Sequence, residues 1–183
     1  MAVREVLRYP HPTLKRVAVA LGPSDAGAVA RVAADLTDTM RAHQGCVGLA
    51  ATQIAELARI VVVDLTDHPK AVDPHGLLVL VNPAITAASG AEVGREGCLS
   101  IPELTANVRR ATEVTIEATD PDGDAVTVES VGFEARCLLH EIDHLDGILF
   151  LDRVDSLTDD VFRRKRRSGG SSPPAAKPAD SGP

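Results

Sequence analysis

Aromatic side chains are nearly absent from these 183 residues: one tyrosine, three phenylalanines and no tryptophan. A core built without rings must be aliphatic, made of Val, Leu, Ile and Ala. No apolar run approaches the roughly 20 residues that a membrane-spanning helix needs. The opening stretch MAVREVLRYP lacks the apolar centre of a secretory signal. A cytoplasmic protein with no membrane partner is therefore expected. Cations are outnumbered, 19 Lys and Arg against 26 Asp and Glu, for a net charge of -7. Specific nucleic-acid binding, which favours a basic surface, is not expected. Cysteine is scarce as well: Cys46, Cys98 and Cys137 are an odd set in a chain without a signal, which argues for reduced thiols over a disulfide framework.

What is present fits one domain in length. Val29, Val32, Ala33, Leu36 and Met40 recur at three- and four-residue steps, which predicts a helix from Ala26 to His43. RIVVVDL (59–65) and LLVLVN (77–82) read as strands, the second ended by Pro83. In 112–130, Val114, Ile116 and Ala118 alternate with polar residues, as do Val126 and Val128, and DPDG (120–123) supplies a turn between them, so a hairpin is expected. Phe133 to Asp146 reads as a helix that Gly147 can end. It is apolar on most sides and so should be buried. SLTDDVFRRKRRS could form a short terminal helix, and 168–183, rich in Gly, Ser, Pro and Ala, is expected to be a disordered tail.

A buried helix that carries LLHEIDHLDG needs a reason for its polar groups. His140 and His144 are four apart, so both imidazoles lie within about 40° on one face and can share one metal ion. Glu141 sits one step round, close enough to handle a proton on a bound water. The plainer alternative is a histidine-rich amphipathic helix.

Two histidines do not complete a site. In metzincin proteases HExxH continues to a third histidine after Gly-x-x. Here Gly147 is present, but Phe150 stands at the ligand position. In gluzincin proteases a downstream glutamate ligates, and no glutamate follows Glu141. Downstream Asp152, Asp155, Asp159 and Asp160 are weak candidates. Upstream, REGCLSIPE places Cys98 in a segment between strands. A thiolate with two imidazoles is a good donor set for a borderline-soft divalent ion and leaves one position for water. Most free cysteines are buried structural residues, and Cys46 and Cys137 are read that way. GCVGLAATQI (45–54) adds small residues that allow close backbone approach, and an amide at Gln53. By itself it reads equally as a packed loop.

GCVGLAATQ, EGCLS and HEIDH followed by Leu-Asp-Gly, in this order, resemble the three motifs of the peptide deformylase family. LRYPHPTLKRVA, VNPAI and the DPDG hairpin are similar to family features too, so the resemblance covers roughly residues 3 to 155. It implies an α+β fold of antiparallel sheets packed around a central buried helix carrying HExxH, with a catalytic domain over 1–167. It implies one divalent metal on Cys98, His140 and His144: Fe(II) usually, with Zn(II), Ni(II) or Co(II) as substitutes. Glu141 would be general base and then proton donor, and the Gln53 side chain and Leu99 backbone N–H would form the oxyanion hole. Val47, Gly48, Ile101 and Cys137, with part of His140, would hold a methionine side chain. The partners would be N-formyl-methionyl nascent peptides, which lose formate.

The chain departs from the family pattern at four places. Cys46 stands where glycine is usual, which reshapes the cleft and adds an oxidisable thiol. Leu139 replaces a glutamine, Thr105 an arginine found in some members, and Arg109 a common proline. The run Arg163–Arg167 could make a transient ribosome contact or be a solvated helix end. Two other functions stand beside the deformylase: a paralogue that binds formyl peptides or the ribosome without turnover, and a zinc endopeptidase.

Overall fold

A computed structural model describes residues 2–164. The expected tail over 168–183, and Lys165–Arg167 of the basic run, lie outside the described residues. The fold is α+β in a single domain, and every strand pairing in its two sheets is antiparallel.

The larger sheet has five strands in the order β1 (Gly48–Ala50), β2 (Ile60–Asp64), β3 (Leu77–Ser89), β6 (Glu113–Thr119) and β7 (Ala125–Val131). The unbroken apolar run in β2 has a simple cause: both of its faces are covered. Ile60 and Val62 pack with Val32, Leu36 and Met40 of helix α1 (Ala26–Ala42). Val61 and Val63 pack with Leu138, Ile142 and Leu145 of helix α2 (Gly132–Leu145). Apolar burial stabilises by about 25 cal/mol per Å2, so both interfaces hold β2 in place.

The smaller sheet has the order β4 (Glu92–Cys98), β5 (Ile101–Arg110) and β8 (Val161–Arg163). A third core cluster joins it to the rest through Leu14, Ile101, Val108, Leu149 and Phe150. Helix α2 turns its apolar side to the large sheet, and Arg136, His140 and Asp143 bond to residues of β4 and β5.

Three expectations change. Pro83 does not end β3, which runs on to Ser89. It sits in an irregularity between Val81 and Ala84 where the register shifts, so its missing N–H costs no ladder bond. Asn82 turns there with φ 52°, its amide exchanging bonds with Leu21 at 2.8 and 2.9 Å. Cys98 is the last residue of a strand, in a hairpin whose partner was not foreseen. The terminal segment is not helical: Val161–Arg163 forms β8 because the open edge of β5 offers main-chain partners, with Phe162 opposite Thr105.

The α2 terminus depends on Gly147. Its φ is 70°, and a Cβ there would meet the Lys15 carbonyl oxygen at 2.7 Å. Gly147→Ala should therefore lower stability by about 1–3 kcal/mol. Urea unfolding would show it as a lower midpoint at unchanged slope, and an unchanged midpoint would disprove the packing argument.

Candidate active site

The site forms where α2, the end of β4 and the turn after β1 converge. Four-residue spacing puts His140 and His144 on one helical face, and both are buried. The β4–β5 hairpin brings Cys98 to them from more than forty residues upstream. One ligand atom from each of Cys98, His140 and His144 lies within 4.8 Å of the others, so one ion can sit among them.

Each ligand atom has a defined environment. His140 Nδ1 lies 2.9 Å from Glu96 Oε2. A carboxylate can only accept, so Nδ1 carries the proton and Nε2 is left to ligate. Cys98 Sγ lies 3.2 Å from His144 Nε2 and receives N–H groups from Gln53 Nε2 at 3.3 Å and Ser100 N at 3.4 Å. Burial alone would raise the Cys98 pKa, but the charges and hydrogen bonds of His144 and His140 hold it well below the ordinary thiol range. A deprotonated sulfur beside two imidazoles is the chemistry of a divalent-metal site.

Glu141 is the exception to good pairing. It is 6 % exposed, and its Oε2 has no hydrogen-bond partner among the described residues. Burial raises its pKa to about 7, with the His140 and His144 charges opposing that and Cys98 and Glu96 adding to it. On the β1 side it is confined, since a Cβ on Gly48 would meet Glu141 Oε1 at 2.7 Å. His144 Nδ1 is also buried without a partner.

A cleft of about 220 Å3 opens on this cluster. Val47, Gly48, Gln53, Cys98, Leu99, Cys137, His140 and Glu141 all line it. Ile101 does not: it packs into the core with Leu14, Leu149 and Phe150, because the turn at Leu99–Ser100 points it below the small sheet. His144 lies behind the cleft wall at 1 % exposure. Gln53 is fixed at both ends of its amide. Its Oε1 accepts from Ala50 N at 3.0 Å, and its Nε2 donates to Ser100 Oγ at 3.0 Å. Phe150, where a metzincin would place a ligand, is buried with its ring 6.2 Å from that of His140. Cys46 lines the cleft and donates to Gly48 O at 3.1 Å. Burial, then the Glu141 charge, pushes its thiol up to about 12, so it stays protonated.

The sequence reading missed the groups behind the ligands. Glu96 accepts two bonds from Arg110 at 3.0 Å, one from Arg136 at 2.8 Å and one from His140. Arg110 reaches on to Asp143, which Arg153 also holds at 2.6 Å. Burial would raise the Glu96 pKa, but His140 and Arg110 keep it at about 2. A signal existed: Arg136, His140 and Asp143, at four- and three-residue steps, form a polar stripe along one side of a buried helix, and Glu96 begins the EGCLS motif.

The chain is similar to known proteins over most of its length. The family model described as Polypeptide deformylase matches residues 3–160. The chain is 47% identical over 156 residues to a peptide deformylase of Thermomicrobium roseum, covering 85% of this chain and 88% of that one. It is similar to the crystal structure of a peptide deformylase from Legionella pneumophila, with a TM-score of 0.76, 36% identity, and 85% and 88% of the two chains covered. It is also similar to the Met-Ala-Ser-bound peptide deformylase of Acinetobacter baumannii, with a TM-score of 0.75, 30% identity, and 84% and 99% covered.

Because Glu96 orients His140 and neutralises two guanidinium groups, Glu96→Gln should have two effects. Affinity for a divalent ion, read by competition with a chromogenic chelator, should fall about 10–100-fold. Stability should fall by about 3–5 kcal/mol. Lower stability with unchanged metal affinity would show that Glu96 does not position the ligand.

Proposed function

We propose the roles that follow from one premise: the chain belongs to the polypeptide deformylase family. Its activity is metal-dependent removal of the N-formyl group from nascent peptides. The observation that carries the assignment of residues is the buried, unpartnered Glu141 oxygen beside the Cys98, His140 and His144 cluster. A carboxylate kept dry without a partner is costly unless a reacting group completes it.

In this reading α2 is the central element, and Cys98 with His140 and His144 holds one divalent ion. Fe(II) is proposed as the resident ion, with Zn(II), Ni(II) and Co(II) able to replace it, since thiolate and imidazole suit all four. When bound, the ion lowers the pKa of water and polarises the formyl carbonyl. Glu141 takes a proton from the attacking water and delivers it to the leaving amine. The Gln53 amide and the Leu99 N–H receive the oxyanion, each contributing roughly 3–4 kcal/mol by analogy with other such donors. Gln53 Nε2 lies 3.3 Å from Cys98 Sγ, which places that donor beside the metal ligands. Val47, Gly48 and Cys137 hold the methionine side chain, and the close-packed backbone from Gly45 to Ala51 leaves room for formyl but not acetyl. The protein would act in the cytoplasm. The basic run from Arg163 would supply cations for a transient ribosome contact. No helix among the described residues is long and apolar enough to cross a membrane.

The direct test is formate release from formyl-Met-Ala-Ser by protein purified anaerobically with Fe(II). Wild type should release formate, and Glu141→Ala should lose at least about 100-fold in kcat/KM. Absence of formate from the metal-loaded wild type would refute the enzyme, and cleavage at an internal bond would favour an endopeptidase. Cys98→Ser should lose bound metal, measured by elemental analysis, along with activity. Unchanged metal content in that variant would show that Cys98 is not a ligand.

A further inference from the structure

Two guanidinium groups at the rim of the cleft have no carboxylate partner. The buried ion pairs at the site use Arg110 and Arg136, and Arg153 pairs with Asp143. Among the described residues no ion pair involves Arg95 or Arg164. Both line the catalytic cleft, and both also line a shallow groove with Thr105, Val161, Phe162 and Arg163. The two depressions therefore adjoin at Arg95 and Arg164.

The construction of this rim is specific. Strand β8 pairs with β5 so that Phe162 stands opposite Thr105, which in turn stands opposite Gly97 of β4. Arg95 Cζ lies 3.6 Å over the Phe162 ring, and its Nη1 makes only a long bond of 3.4 Å to Thr105 Oγ1. The stacked guanidinium is thus held flat, with most of its donors unspent. Arg164 is anchored through its main chain, N to Glu103 O at 2.8 Å. Its guanidinium lies over Gly97, where any Cβ would collide with Nη2. A residue without a side chain, next to Cys98, lets this cation rest on the backbone of β4. The chain as a whole has a net charge of -7, so two cations with donors to spare beside the cleft stand against an acidic background.

We propose that Arg95 and Arg164, set on Phe162, bind carboxylates carried by the peptide downstream of its formylated methionine. This rests on the deformylase reading. Strand β4 is the outer strand of its sheet, and its residues 95–98 line the cleft. A peptide that leaves the cleft across β4 meets the platform within its first few residues, at about 3.3–3.6 Å per extended residue. Planar forks suit carboxylates in paired hydrogen bonds, and lysine side chains are repelled. The platform would make this enzyme select early acidic residues, a preference separate from the methionine pocket.

The test is a ratio within each variant. The kcat/KM for formyl-Met-Ala-Ser-Asp amide is divided by that for formyl-Met-Ala-Ser-Lys amide, using the metal-loaded full chain. Wild type should prefer the Asp peptide by about five- to tenfold, mainly through KM. The preference should shrink in about 1 M salt, where the screening length is about 3 Å. Arg95→Ala with Arg164→Ala should bring the ratio near one, and Arg95→Lys with Arg164→Lys should keep only the part that charge alone supplies at low salt. Comparing formyl-Met-Ala-Ser as free acid and as amide separates a terminal carboxylate from a side-chain one. A wild-type ratio near one, or a ratio that survives the double alanine variant, would overturn the proposal. Formate from none of the peptides would instead remove the deformylase reading, and the platform with it.

Discussion

The Glu96 carboxylate is the contact on which the rest of the structure depends. It lies between β4 and α2 and takes hydrogen bonds from Arg110, Arg136 and His140 with both of its oxygens. Helix α2 could lie against the large sheet by apolar contact alone, through Leu138, Ile142 and Leu145. Apolar contact is non-directional, however, and tolerates small rotations of a helix. Hydrogen bonds from three residues to one carboxylate do not. They fix the rotation of α2 about its axis, and with it the direction of both histidines.

Burying this many charges is expensive, and pairing them offsets the cost only when geometry is good. The same site could be filled by apolar residues at equal stability. What the ionic version adds is a defined spacing between helix and hairpin. His140 is part of the network, so the support shares a bond with the candidate metal cluster, and Asp143, one residue before His144, extends it to Arg153 on the surface. The apolar and polar sides of α2 therefore do different work: one holds the helix in the protein, the other orients what it carries.

Much of this was legible in the sequence because it is local. The α1 stripe, the 112–130 hairpin and the His140–Glu141–His144 spacing are periodic signals within a single element. Cys98 had to be set against a helix far away in sequence: donor chemistry made it a candidate ligand, and the resemblance of three motifs joined it to His140 and His144. The β4–β5 hairpin was not legible. Its inward residues include Glu96, Cys98 and Arg110, so its alternation is of charge and small size instead of apolar bulk. The β8 strand was misread because its partner edge is a tertiary fact, and Pro83 because a bulge can absorb a missing donor. Ile101 went to the core because the sequence cannot show which way a two-residue turn sends the next side chain.

Gly48 shows a different economy. Strand β1 presses its main chain against Glu141, and a single added carbon would collide with the carboxyl group. The freedom of that side chain is thereby reduced while the protein folds, among the many degrees of freedom lost at that stage. A carboxylate that serves as a base and has to be captured from several rotamers loses that entropy again in every catalytic cycle, and the loss appears in the barrier. The strand moves it to an event that happens once in the lifetime of the molecule.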